Sequence, residues 1–332
     1  MVIVIERREF IAGLGGTAIG WPLAAHAQQA GRITRVGYFG PHPSDRTVAQ
    51  AGFQAFRAQL IALGLVEGPN FSIVYKDTDD PRGISVTAAE LMQSQPDVVV
   101  ASGPEIVLKT LIAAKPAVPI VMIAINFDPI ARGYVSSLSR PGGHITGVVF
   151  QQLQLAQKQA EILTQAFPDR TRLAILFDSQ SADQFVAAEP IAKSLNMQVQ
   201  PLKLEHPPYD FEATFRSAVA GSAQMALILS SPFFGSQGPT IANLAIKYRL
   251  PCMFIFRSYV EVGGLMSYGV DFPVMFARAA DYVAKILKGA KPADLPIEQA
   301  DKFEFAVNLK TAKVIGVELP TSILLRADHV IE

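Results

Sequence analysis

Past its first thirty or so residues, the chain alternates short apolar bursts with longer amphipathic stretches, and that alternation confines it to an α/β architecture. The bursts run five to seven residues, the size of strands buried on both faces of a parallel sheet. They fall at Arg35–Phe39, Phe71–Tyr75, Asp97–Ala101, Ile120–Ile125, Ile145–Phe150, Arg172–Phe177, Gln198–Leu204, Ala226–Leu229, Cys252–Phe256 and Leu265–Tyr268. Helical periodicity fills the gaps, at Val48–Leu63, Val86–Gln93, Leu153–Ala166, Asp183–Leu195, Phe211–Ala220, Thr240–Tyr248 and Val274–Leu287. Strand-helix alternation predicts parallel sheets covered by helices on both faces. So many strands fit two α/β units better than one sheet. The chain is expected to cross between two Rossmann-like lobes three times, near Phe150-Gln151, Gly269–Asp271 and Lys302–Phe305. The lobes are then 33–150 plus 271–303, and 151–270 plus 304–332.

The first 27 residues have the pattern of an export signal. Arg7-Arg8 makes a basic start, an apolar Gly- and Ala-rich stretch runs from Phe10 to Ala25, and Ala25-His26-Ala27 offers a small-x-small cleavage site. Arg7-Arg8-Glu9-Phe10 also suits the twin-arginine route, with ordinary secretion the alternative. Cleavage near Ala27 would release a chain of about 305 residues into a periplasm. After the signal no apolar run reaches the roughly 18 residues of a membrane helix. Lysine plus arginine and aspartate plus glutamate number 29 each, a balance that argues against nucleic acid or an anionic membrane as partner. Cys252 is the only cysteine. It rules out an intrachain disulfide and, set in an apolar run, reads as a buried structural thiol.

Chemistry is expected at the strand ends. Four junctions place a small or polar residue and then a proline where a helix should begin: Gly40-Pro41, Ser102-Gly103-Pro104, Asn126-Phe127-Asp128-Pro129 and Ser230-Ser231-Pro232. Asp178 stands at the corresponding end of the sixth strand. In an open parallel sheet these ends face one side, and ligands bind in the crevice beyond them. Good capping alone accounts for any one junction; four across two lobes suggest a cleft. Arg257, Tyr259, Tyr268 and Asp271 follow the last two strands of that series. Arg can grip a carboxylate, Tyr can offer a ring face, and Asp can pair with an ammonium, although surface pairing explains them equally well. Phe127 reads as a pocket wall or a core aromatic.

No catalytic signature accompanies them. Gly13-Leu14-Gly15 lies in the signal with no strand before it, and the chain has no nucleophile elbow, phosphate loop or His-Glu-x-x-His. His42, His144, His206 and His329 lack ligand spacing, and Pro81 breaks the calcium-like Asp77-Thr78-Asp79-Asp80. Neither metal nor cofactor is expected.

Three long segments carry a resemblance. They are Asp128–Gly147, with Ser139-Arg140-Pro141-Gly142-Gly143 at its centre; Arg257–Gly269; and Lys285–Pro296 with Phe303–Asp328. Together these resemble the ABC-transporter substrate-binding proteins that include the tryptophan-binding TrpX type. The resemblance implies a type I periplasmic binding protein, non-enzymatic and monomeric, that closes on a small solute and delivers it to an inner-membrane permease. It implies aromatic or other hydrophobic amino acids as solutes and places Ser102, Gly103, Asn126, Asp128, Ser230, Ser231, Arg257 and Tyr268 near them. Three features depart from the family pattern: His144 replaces the usual Asn, Ser231 replaces a common Asp, and the Gly40-Pro41-His42-Pro43 loop is atypical. The Ser231 change leaves an aromatic or branched acid without the amine as an alternative solute. A sensory ligand-binding module, or an exported α/β racemase or hydrolase, are the alternative functions.

Overall fold

The computed structural model describes residues 33–40, 48–77, 83–114, 118–150, 152–235 and 237–332. The signal-like segment, Pro41–Pro43, Thr78–Pro81 and Gln151 lie outside the described residues. In chain order the first unit contains β1 (Thr34–Gly40), α1 (Val48–Ala62), β2 (Phe71–Asp77), α2 (Ile84–Gln93), β3 (Val98–Gly103), α3 (Glu105–Ala114), β4 (Ile120–Ile125) and β5 (Ile145–Phe150). Then come α4 (Leu153–Ala166), β6 (Arg172–Asp178), α5 (Ala182–Ser194), β7 (Gln198–Leu204), α6 (Phe211–Ala220), β8 (Met225–Ile228), α7 (Pro232–Gly235), α8 (Gly238–Lys247), β9 (Cys252–Phe254), α9 (Arg257–Glu261) and β10 (Met266–Val270). The chain ends with α10 (Phe272–Leu287), β11 (Glu298–Gln299), β12 (Phe303–Asn308), α11 (Leu309–Ile315), α12 (Thr321–Leu324) and β13 (His329–Ile331).

These strands form two sheets, ordered β11-β5-β4-β3-β1-β2 and β13-β12-β10-β9-β8-β6-β7. The chain passes to the second sheet after β5, returns after β10 and passes over again after β11. Every pairing is parallel except β10 with β12, which run antiparallel from Met266↔Val307 to Val270↔Phe303.

All six residues of β3 and of β5 are buried, because side chains alternate faces along a strand and both faces carry helices. On one face of the first sheet, Val98 and Val100 meet Phe56 and Leu60 of α1 and Phe276 and Ala279 of α10. On the other, Val99 and Ala101 meet Leu91 of α2 and Leu108 and Leu111 of α3. The second sheet repeats the scheme. Leu173, Ile175 and Phe177 face α4 and α5, while Ala174 and Leu176 face Phe215 of α6 and Ile241 of α8. Helix α10 follows a second-sheet strand yet packs on the first sheet. It seats the Phe276 ring where a Cβ on Gly52 of α1 would lie only 2.9 Å from three ring atoms.

Two expectations change. Asn126–Pro129 opens no helix. Asp128 Oδ1 accepts the N–H groups of Ile130 and Ala131 at 2.8 and 3.2 Å, and Gly133, at φ +75, ends the single turn that results. Strands β11, β12 and β13 are additions. Phe303–Asn308, read as a crossing segment, is a full strand because β10 supplies its antiparallel edge.

Candidate ligand-binding cleft

The strand order reverses direction at β1/β3 in the first sheet and at β6/β8 in the second. Such switch points leave a crevice beyond the carboxyl ends of the strands. In the first lobe those ends are Gly40, Ser102 and Gly103. Tyr75 donates its hydroxyl to the Gly40 carbonyl at 3.2 Å. Ser102 is 1% exposed and its side chain is hydrogen-bonded to the Tyr38 phenol, whose pKa burial pushes up. Gly103 sits at φ +135, a conformation other residues rarely hold. At the end of β4, Asn126 adopts φ +63 and donates its N–H to the Phe150 carbonyl at 2.9 Å. A left-handed residue other than glycine stores about 1 kcal/mol of strain, less for Asn. Phe127 beside it meets Tyr134 edge-on at 6.3 Å. Tyr134 donates to Glu105 Oε1 at 2.9 Å, and Arg132 Nε lies 3.3 Å from Glu105 Oε2. Burial, reinforced by that carboxylate, pushes the Tyr134 phenol up to about 12.

The second lobe is organised around a fully buried carboxylate, Asp178. Its Oδ1 accepts from the backbone N–H groups of Gln180 and Ser181 and from the Ser181 hydroxyl, at 2.9, 3.1 and 3.0 Å. Its Oδ2 accepts from the Tyr209 hydroxyl at 3.0 Å and from the Ser231 hydroxyl. Burial first, and then this carboxylate, push the Tyr209 phenol up to about 12. Charge-assisted donors make a buried carboxylate tolerable, and here they pin the starts of α5 and α7 to the end of β6. Alongside, Gln184 and Ser230 bond reciprocally: Gln184 Nε2 donates to the Ser230 carbonyl at 2.8 Å, and the Ser230 N–H donates to Gln184 Oε1 at 3.0 Å. Gln152, the first described residue after the crossing, donates Nε2 to Ser230 Oγ at 2.8 Å.

Between the lobes lies a cleft of about 320 Å³, lined by Asn126, Phe127, Asp128, Ala131 and Arg132 from the first lobe and by Leu153 and Asp183 from the second. Of the residues singled out in the sequence, Asn126, Phe127 and Asp128 line this space. Gly40, Ser102, Gly103, Ser230 and Ser231 do not line it; they stand at or just beyond the carboxyl ends of β1, β3 and β8. The remainder have tasks within their own lobe. Asp178 is the capping hub. Arg257 pairs with Glu261 at 3.0 Å and Glu304 at 2.9 Å, and also lies 2.9 Å from His329. Tyr259 is buried, stacks on Phe254 at 5.1 Å and donates to the Phe234 carbonyl at 3.0 Å. Tyr268 stacks on Phe303 at 6.0 Å, and its carbonyl accepts from Gln159 at 2.7 Å. Asp271 caps α10 through the Val274 N–H at 3.1 Å. The expected carboxylate grip and ammonium partner are therefore engaged elsewhere.

Sequence reading missed Arg132, Leu153 and Asp183. The helix start that carries Asp183 follows Asp178-Ser179-Gln180-Ser181 without a proline, so it lacked the signal used for the other junctions. Among the described residues no group of three or more His, Cys, Asp or Glu could hold a metal ion, and no helix is long and apolar enough to cross a membrane.

The family described as ABC transporter substrate binding protein matches residues 41–331. A tyrosine-binding protein of Clostridioides difficile (strain R20291) is 21% identical over 260 residues, which cover 77% of this chain and 73% of that one. Among solved structures, the ABC domain in complex with L-Trp from Streptococcus pneumonia superposes with a TM-score of 0.78 at 23% identity, covering 90% of this chain and all of that one. A ligand-free, open substrate-binding protein with adhesive properties from Clostridium difficile gives a TM-score of 0.66 at 20% identity, over 90% of this chain and 99% of that one.

Proposed function

The chain belongs to the ABC transporter substrate-binding protein family, and from that premise we propose that it is the periplasmic binding component of an importer for a small carboxylate-bearing solute. The family implies a small-molecule ligand and a permease partner; its members bind solutes rather than transform them. The finer reading is that the solute is an aromatic or hydrophobic amino acid, or a related acid, gripped between lobes 33–150 plus 271–303 and 151–270 plus 304–332. Export would follow cleavage near Ala27, and the mature protein would work as a monomer.

One observation carries this reading: the cleft draws on both lobes at once, with Asn126 and Phe127 on one side and Leu153 and Asp183 on the other. A guest held there touches two bodies joined by three crossings, which is the arrangement that couples binding to hinge closure. The apolar side chains of Phe127, Ala131 and Leu153 beside the polar Asn126, Arg132 and Asp183 suit a guest with an apolar body and a polar end. Names of relatives that bind L-Trp or tyrosine support the amino-acid reading. Native mass spectrometry of the protein purified without denaturation tests it. A retained small acid or amino acid, released on unfolding and returned by thermal shift, is the expected result. A protein that retains nothing and gains no thermal stability from amino acids or aromatic acids at saturating concentration would contradict it, since a solute at about 100 times its Kd should add about 2.7 kcal/mol.

A further inference from the structure

We propose that Arg132 and Asp183 are the two charge-reading residues of the cleft, one on each lobe, and that the guest is therefore a zwitterion rather than a simple carboxylate. This rests on the binding reading above and names the chemistry at its polar end.

Three charged side chains line the cleft: Asp128, Arg132 and Asp183. Asp128 stands on the same lobe as Arg132, and its Oδ1 holds two backbone N–H groups. Arg132 is oriented through Nε by Glu105, which the Tyr134 hydroxyl fixes from the other oxygen. The forked terminal nitrogens are the part of a guanidinium that grips a carboxylate in two parallel bonds. Across the cleft, Asp183 is exposed and takes part in no ion pair among the described residues, while its Oδ1 accepts the Gln184 N–H at 2.8 Å and so has a set direction.

The other acid near the second-lobe strand ends is out of play. Asp178 is fully buried and its two oxygens accept five hydrogen bonds, one from Ser231. Ser231 serves that hub and supplies no charge. Of the two acids that line the cleft, Asp183 is the one on the lobe opposite Arg132, and recognition of an ammonium is assigned to it. Opposite charges on opposite lobes also mean that a guest bearing both is held by each lobe, whereas a guest bearing one engages a single lobe. Closure removes water, and both contacts strengthen as the local dielectric falls.

The test is calorimetric titration of the full mature chain with the L-amino acids, and with the deamino counterparts of those that bind, such as indole-3-propionate for L-tryptophan. The wild type should favour the amino acid over its deamino counterpart by about 10-fold or more, the scale of one charge-assisted contact. Asp183→Asn should erase that preference by weakening the amino acid about 10- to 100-fold while leaving the deamino acid nearly unchanged, and Asp183→Glu should restore part of it. Arg132→Gln should weaken both kinds of guest. Equal wild-type affinity for both kinds, or an Asp183→Asn effect that falls equally on both, would overturn the assignment. The second outcome is that of a simple latch between Arg132 and Asp183. If neither kind binds the wild type, the proposed function falls and this assignment with it; if the wild type binds and Asp183→Asn changes nothing, only the assignment falls.

Discussion

At the scale of single residues, the second lobe depends on one buried carboxylate. Removing the buried Asp178 takes the acceptor from the hydroxyls of Tyr209 and Ser231 and from the N–H groups of Gln180 and Ser181, of which Ser181 and Ser231 are themselves buried. Asp178→Ala should cost about 3 kcal/mol, the order of losing several bonds to a charged acceptor at once, as read from urea unfolding midpoints. A loss under about 1 kcal/mol would mean that the neighbours re-pair. His144 gives a pH-dependent counterpart. Its buried Nε2 has no hydrogen-bond partner, and burial lowers its pKa from the ordinary 6.5. A histidine depressed in the folded state stabilises the fold above its unfolded pKa, and that contribution is lost as pH falls. Between about pH 7 and 5 the wild type should therefore lose more stability than His144→Asn, compared by denaturant melts at each pH. Parallel losses in the two proteins would contradict it. Glu304, raised by burial despite its Arg257 partner, acts in the opposite sense as pH rises through its own range, and the paired comparison cancels it.

At the scale of elements, the contact of α1 with α10 holds the returning helix to the first lobe. Gly52→Val would drive a branched side chain into the Phe276 ring and should cost about 2 kcal/mol, in the range of overpacked cores, measured as a lower thermal midpoint. An unchanged midpoint would show that the helices can separate freely. Elements with one unambiguous period were legible in the sequence: Leu153–Ala166 and Phe211–Ala220 end where the apolar stripe ends, and Ile120–Ile125 and Ile145–Phe150 match their apolar bursts. Strand β12 was not, because Phe303, Phe305 and Val307 alternate with polar or small residues over only six positions and the partner strand is set by tertiary structure. The site was half legible for a related reason. Residues at a strand end with a following proline, such as Asn126, Phe127 and Asp128 before Pro129, leave a local signature. Arg132 and Asp183 line one cleft only through the path of a loop in one lobe and a helix start in the other, and nothing local records that. Arg257 and Tyr259 have residue types that fit recognition, and in the fold Glu304, Phe254 and Phe234 engage them.

At the scale of the whole molecule, the proposed function makes the two sheets, three crossings and shared cleft a device whose response to a guest is a change of shape. Hydrophobic residues from both sides meet at the crossings, where Phe150, Leu155, Ile255, Val270 and Phe272 share one buried cluster. A small packed hinge can rotate while each lobe keeps its own core, so binding should move the lobes as bodies rather than loosen them. The most direct measurement is small-angle X-ray scattering of the protein, first stripped of any retained solute and then saturated with it. The radius of gyration should fall on saturation, with the denaturant slope of each lobe unchanged. A radius that stays the same while calorimetry confirms occupancy would contradict closure around the guest.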